Sequence, residues 1–303
     1  MTNQCWAGVF PAVTTQLKQD QSLDLPATVR HLEILIESGV AGLIVCGSLG
    51  ENQALAPSEK LAVVRCAIET ARGRVPVLSG AAEPSTALAI QFVRDVTQLG
   101  ADGIMLLPPM NYKADPRETM TFFQTVAAMS ALPIMIYNNP ISYANDMTPA
   151  MFAELAEEKK FIAIKESSGD PRRITELHNV VGDRFALFTG VDDLLLEASI
   201  LGIDGWVAGS GIAFPKENQR LWELTRGGHW DEARALYRWF QPLLKLDTHV
   251  HFVQYIKLCE QETGLGAEWV RAPRLPLEGE ERERVLQTIR NSIRNRPHLN
   301  NGI

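Results

Sequence analysis

Lys165 stands at the end of the apolar run Phe161-Ile162-Ala163-Ile164 and is followed by Glu166-Ser167-Ser168-Gly169-Asp170. A short, partly β-branched apolar run bounded by Gly-Asp-Pro reads as a buried strand that feeds a helix, with Lys165 at its carboxyl end. Desolvation there disfavours the ammonium and leaves more free amine at neutral pH, the form that adds to a ketone to give a Schiff base. The same lysine could equally end its strand in solvent, paired with Glu166 or Asp170. Tyr137, which opens Tyr137-Asn138-Asn139-Pro140, is a natural partner. A phenol beside an amine can ferry protons as the carbinolamine forms and collapses; a packed core tyrosine is the other reading. In Gly47-Ser48-Leu49-Gly50-Glu51 the glycines allow backbone amides to approach a ligand carboxylate, with Ser48 as a further donor. An ordinary tight turn has the same composition.

The elements that must position these residues alternate. Gly8–Thr15 reads as a strand and Asp24–Ser38 as a helix, with apolar residues at Leu25, Val29, Leu32, Leu35 and Ile36. Gly42–Ser48 is a second strand and Pro57–Arg72 a second helix. Further strands are expected at 76–81, 103–107, 133–137, 161–165, 185–189 and 205–208. Helices are expected between them at 84–99, 115–130, 148–158, 171–181 and 192–201, and a last one at 215–225. Eight βα units with short buried strands predict an α/β fold, a closed (β/α)8 TIM barrel, with an open doubly wound sheet as the alternative. No GxGxxG follows the first strand, which argues against that alternative. Beyond 226 only helical patterns remain, at 230–246, 250–263 and 278–293. Residues 1–226 are therefore read as the barrel and 227–303 as a helical appendage that caps it or makes an oligomer contact.

Functional residues of such barrels lie at the carboxyl ends of the strands. Strand one ends in Thr14-Thr15, strand seven in Gly190-Val191-Asp192-Asp193 and strand eight in Gly209-Ser210-Gly211. The last of these could also hold a phosphate. Val207 on strand eight joins Gly47, Ser48 and Leu49 as an expected substrate contact, with Asn139, Ser142, Gly190, Asp192 and Gly209 farther from the lysine.

Composition narrows the partners. The net charge of −7 and the lack of any basic block interleaved with aromatics argue against nucleic acid. No run approaches a membrane span, and residues 1–5 carry no signal character, so a soluble cytoplasmic protein is expected. Cys5, Cys46, Cys66 and Cys259 show no CxxC spacing and are read as reduced. His249-Val250-His251 would share a face on a strand but not on a helix; because its surroundings read as helical, no metal site is expected.

Gly47-Ser48-Leu49-Gly50-Glu51, Tyr137-Asn138-Asn139-Pro140 and Ile164-Lys165-Glu166-Ser167-Ser168-Gly169 together resemble the signature segments of the dihydrodipicolinate synthase and N-acetylneuraminate lyase family. They fall in the family's order on strands two, five and six. The resemblance implies a (β/α)8 barrel, usually a homotetramer, in which Lys165 forms a Schiff base with a 2-oxo acid. Tyr137 relays protons, the Gly47-Ser48 turn holds the carboxylate, and no cofactor beyond the covalent lysine adduct is needed.

The departures point away from two branches of that family. Dihydrodipicolinate synthases carry an arginine for a second carboxylate two positions after the proline, where Ser142 stands here. Leu49 replaces a threonine, and Pro108-Pro109-Met110-Asn111 replaces a Pro-Tyr-Tyr-Asn run, with Tyr112 nearby. Gly190-Val191-Asp192-Asp193 resembles the sugar-binding segment of the lyases, but Gly209 stands in place of a sugar-binding serine. What remains are branches acting on short 2-oxo acids: dehydratases of 2-keto-3-deoxy sugar acids, pyruvate aldolases, and the deaminase of 1-pyrroline-4-hydroxy-2-carboxylate, which these segments resemble most. A barrel that binds an oxo acid for sensing, without turnover, is the reading of another class.

Overall fold

The computed structural model describes residues 6–299; residues 1–5, including Cys5, lie outside them. Eight parallel strands form one sheet: β1 (Gly8–Val9), β2 (Leu43–Val45), β3 (Val77–Ala81), β4 (Gly103–Leu106), β5 (Ile134–Asn138), β6 (Phe161–Glu166), β7 (Ala186–Thr189) and β8 (Gly205–Trp206). Their order is β1-β8-β7-β6-β5-β4-β3-β2. The ring closes where Ala12 bridges Ile44, Val13 N donates to Ile44 O at 2.9 Å and Ile44 N donates to Pro11 O at 2.9 Å. The expected barrel is therefore closed, and the doubly wound alternative falls.

The first strand is shorter than expected, for a chemical reason. Pro11 has no N–H to give a ladder, and beyond Val9 the chain instead bonds to both neighbours. Phe10 N and Ala12 N donate to Trp206 O and Ala208 O, each at 2.8 Å, while Pro11 and Val13 serve the β2 side.

The barrel helices begin where side chains satisfy their free amides. Asp24 caps α1 (Leu25–Glu37), accepting from Ala27 N, and Ser85 caps α3 (Thr86–Leu99). Asp115 and Glu118 form a reciprocal capping box at α4 (Pro116–Met129). Helix α2 (Pro57–Ala71) lies between the first two. A single helical turn, α5 (Pro140–Tyr143), then precedes α6 (Pro149–Leu155), α7 (Arg172–Val181), α8 (Leu195–Ile200) and α9 (Pro215–Arg226). One turn is too short for an apolar period to reveal, so sequence periodicity passed over α5.

Three helices follow: α10 (Trp230–Leu244), α11 (Phe252–Thr263) and α12 (Gly279–Arg294). The apolar core continues into them without a break. The helices expected over 230–246 and 250–263 both stop short of their meeting point, because Lys245–Thr248 forms a 3-10 turn. His251 takes the N-cap position of α11 rather than lying inside a helix, which overturns the helical-spacing argument. The two imidazoles sit 5.4 Å apart, and with Glu281 their ligand atoms fall within 4.8 Å of one another. Glu281 is already engaged, accepting from Tyr255 Oη at 2.6 Å and standing 2.8 Å from His251 Nδ1. No helix among the described residues is long and apolar enough to cross a membrane.

The appendage is tied to the barrel by buried charge. Glu51, at the end of the strand-two turn, lies 2.6 Å from Lys257 Nζ, with both side chains fully buried. Its other oxygen accepts from Arg271 N at 2.8 Å. One helical turn further along α11, Glu260 accepts from Thr14 Oγ1 at 2.6 Å and from Gln16 Nε2 at 2.8 Å. Removing one member of a buried pair strands the other's charge, which costs about 3–5 kcal/mol. Lys257→Met is therefore expected to lower the unfolding free energy in urea by about that amount, and a loss under about 1 kcal/mol would show that the pair is dispensable.

Candidate active site

Strands β5 and β6 set Tyr137 and Lys165 side by side in parallel register. Lys165 is buried, and its Nζ stands 4.0 Å from the centroid of the Tyr137 ring. The alternative of a solvent-paired lysine fails, because its two candidate partners are taken. Glu166 accepts from Asn138 Nδ2 at 2.9 Å and Ser168 N at 2.5 Å, while Asp170 pairs with Arg172 at 2.6 Å. Burial holds the Lys165 amine below the ordinary lysine value, with Asp247, Tyr143 and Asp192 pulling the other way. Burial also pushes the Tyr137 phenol up to about 12, against the hydrogen bond that Asn139 Nδ2 donates to its Oη at 3.1 Å. Tyr137 is thus a neutral hydroxyl that keeps its proton at neutral pH.

A cavity of about 500 Å³ opens above this pair at the carboxyl ends of the strands. On its strand-two side lie Gly47, Ser48 and Leu49. The amides of Ser48 and Leu49 find no acceptor among the described residues, as a carboxylate cradle requires. Thr15 Oγ1 donates to Gly50 O at 2.7 Å and steadies the turn from beneath. Val207 forms part of the floor, and Asn139 and Ser142 lie on the wall built by α5, where Asn139 Oδ1 accepts from Ser142 N at 3.0 Å.

Gly190 and Gly209 reach the cavity through their lack of a side chain. A Cβ on Gly190 would stand 2.3 Å from Lys165 Cε, and one on Gly209 would stand 2.3 Å from Asp247 Oδ1. Each glycine therefore holds open the space in which a functional side chain lies.

Asp192 departs from expectation. It is fully buried below the cavity, and its carboxylate accepts from Trp206 Nε1, Gly209 N, Ser210 N and Ser210 Oγ. Its oxygens hold the strand-eight turn, and the side chain does not line the cavity. The phosphate reading of Gly209-Ser210-Gly211 falls with it, since the amide donors a phosphate would use already serve an internal anion.

Several cavity residues were not read from the sequence, Tyr143, Asp247 and Arg274 among them. Tyr143, on α5, stands edge-on to Tyr137 with ring centroids 5.7 Å apart, and its hydroxyl hydrogen-bonds Ser48 Oγ. Burial raises its phenol as well. Its position three residues after Pro140, on a turn that Asn139 caps, was the available signal. Asp247 comes from the 3-10 turn after α10 and lines the cavity beside Gly209. Arg274 also lines it, 3.9 Å from Glu51.

Gly190→Ala is expected to abolish borohydride trapping of pyruvate on Lys165 while the protein stays folded by circular dichroism, because the new methyl group occupies the path of the lysine side chain. Trapping at the parent's rate would show that the lysine does not need this space. For the parent, the rate of imine formation should rise with pH as the amine loses its proton, with a midpoint below the ordinary lysine value of 10.5. A midpoint at or above that value would contradict the effect of burial.

A sequence model of the Dihydrodipicolinate synthetase family matches residues 5–292. The 4-hydroxy-tetrahydrodipicolinate synthase of Methanosarcina barkeri is 29% identical over 287 residues, covering 93% of this chain and 97% of that protein. The putative 2-dehydro-3-deoxy-D-gluconate aldolase YagE of Escherichia coli is 33% identical over 298 residues, covering 94% and 96%. Among solved structures, a dihydrodipicolinate synthase from Bacillus anthracis superposes with a TM-score of 0.90 at 27% identity, covering 97% of this chain and 99% of that one. YagE in complex with pyruvate superposes with a TM-score of 0.89 at 28% identity, covering 95% and 99%. The matched segments, the closed barrel and the buried lysine agree: the chain belongs to the dihydrodipicolinate synthetase family of Schiff-base-forming aldolases and lyases.

Proposed function

We propose that the chain is a lyase that dehydrates and deaminates a short, singly carboxylated oxo or cyclic imino acid, with 1-pyrroline-4-hydroxy-2-carboxylate as the best candidate. The observation that carries this reading is the wall of α5. Ser142 lies there without charge, where a second carboxylate would call for a bidentate cation. Lys165 attacks C2 of the bound imine and opens the ring to a Schiff base. The adduct acidifies C3, and Tyr137 carries protons at the reacting centre while the amides at Ser48 and Leu49 hold the carboxylate. The C4 hydroxyl leaves as water, water then hydrolyses the resulting C5 imine and releases ammonia, and a second water hydrolyses the Lys165 Schiff base to free 2-oxoglutarate semialdehyde. The reading includes a cytoplasmic homotetramer and no cofactor beyond the lysine adduct.

A second reading keeps every residue and changes the substrate to a 2-keto-3-deoxy sugar acid, either dehydrated or cleaved to pyruvate. The likeness to YagE, whose name is that of a sugar-acid aldolase, favours it. Arg274 in the cavity lining is the feature that would serve a substrate with a second anionic group, as in dihydrodipicolinate synthesis.

Each reading makes its own products. With the cyclic imino acid, ammonia and semialdehyde should appear together; absence of both removes the deaminase. Robust condensation of pyruvate with aspartate semialdehyde would overturn the argument from Ser142. Binding of pyruvate with no turnover of any candidate would leave a sensor. For the shared chemistry, Tyr137→Phe should lower turnover by about 10²–10⁴-fold while pyruvate trapping on Lys165 persists, and a loss under about tenfold would make Tyr137 a packing residue.

A further inference from the structure

Elimination and retro-aldol cleavage differ in what they require at one oxygen. If the C4 hydroxyl leaves as water it must receive a proton, whereas cleavage of the C3–C4 bond requires that hydroxyl to give its proton up. A neutral acid at that point serves the first reaction and opposes the second.

The cavity holds such a group. Asp247 sits on the 3-10 turn Lys245–Thr248 and lies against Gly209, in the same cavity as Lys165. No described residue donates a hydrogen bond to its carboxyl, whereas Asp192 nearby collects backbone amides, a hydroxyl and an indole N–H. Burial raises both carboxyls, but the donors around Asp192 oppose the rise there, so negative charge favours Asp192 over Asp247. Burial and the charge of Asp192 raise Asp247 well above the ordinary carboxyl value, with Lys165 opposing and Asp193 adding to the rise. Asp247 is thus the carboxyl biased toward its protonated form.

We propose that Asp247 is a catalytic general acid that protonates the departing C4 hydroxyl, which makes the site an eliminating one for oxo or imino acids hydroxylated at C4. The inference rests on the Schiff-base lyase reading above. With substrate held as an iminium on Lys165, a cavity water takes a C3 proton, which turns C2=N into a C2=C3 enamine and supplies the proton that later recharges Asp247. The nitrogen lone pair then re-forms C2=N, the C2=C3 pair becomes C3=C4, and the C4–O bond breaks with its electrons on oxygen. That oxygen takes the Asp247 proton and leaves as water. Asp247 remains as a carboxylate and recovers a proton from water at the cavity mouth.

Asp247→Asn keeps the shape and removes the acid. The variant should still trap pyruvate on Lys165 under borohydride, yet lose about 10²–10⁴-fold in turnover of C4-hydroxylated substrates. With 4-chloro-2-oxobutanoate, whose chloride departs without a proton, parent and variant should release chloride at similar rates. Equal losses on both substrates would reduce Asp247 to a positioning role, and unchanged turnover of the hydroxylated substrate would overturn the proposal outright. If the parent neither traps pyruvate nor releases chloride, it is the Schiff-base reading that fails, and the role of Asp247 falls with it. Should the asparagine variant not fold, Gly209→Ala, which drives the carboxyl from its place, carries the same comparison.

Discussion

The carboxylate of Glu51 is the constraint on which the site's shape depends. It closes the strand-two turn at a positive φ of 57°, and Lys257 of α11 and the Arg271 amide hold it from the other side. The carboxylate therefore fixes two things at once: the direction in which the Ser48 and Leu49 amides point, and the height at which the C-terminal helices sit over the barrel. Glu260 repeats the arrangement against Thr14 and Gln16. An appendage anchored this way is part of the active-site wall, since the turn preceding α11 delivers Asp247.

The site's polarity follows from which charges are compensated. Asp192 is surrounded by donors and Glu166 is held by Asn138 and the Ser168 amide, so neither reaches the cavity as a free anion. Burial drives Lys165, Tyr137 and Asp247 toward neutrality, against carboxylates near the amine and the Asn139 hydrogen bond to the phenol. A neutral amine, a neutral phenol and a neutral acid are what addition, proton relay and departure of water ask for in turn.

Much of this was legible in the sequence, and the limits have physical causes. Lys165 and Tyr137 sit at the ends of strands, where a period of two and a strand boundary locate a residue within the fold. The glycine turn at 47–50 shows itself by composition. Tyr143 and Asp247 do not, because their positions depend on a single helical turn and a 3-10 turn, elements too short to carry a period. Asp192 was misplaced for a different reason: a carboxylate after a barrel strand looks the same in sequence whether its oxygens face substrate or are consumed by its own loop. His251 was assigned to a helix that begins only after it, which shows how much a boundary error of two residues matters when the argument concerns faces.

The amine of Lys165 lies over the face of Tyr137 rather than at its rim. At rest the contact is of little electrostatic weight, because the amine is held toward its neutral form. On the proposed mechanism the nitrogen becomes an iminium once substrate is attached, and the π-face below it then attracts a full positive charge, worth about 0.5–2 kcal/mol in a desolvated setting. The aromatic ring would therefore favour the covalent adduct over the free amine independently of its hydroxyl, so that one side chain biases two successive states of the reaction through two different parts of its structure.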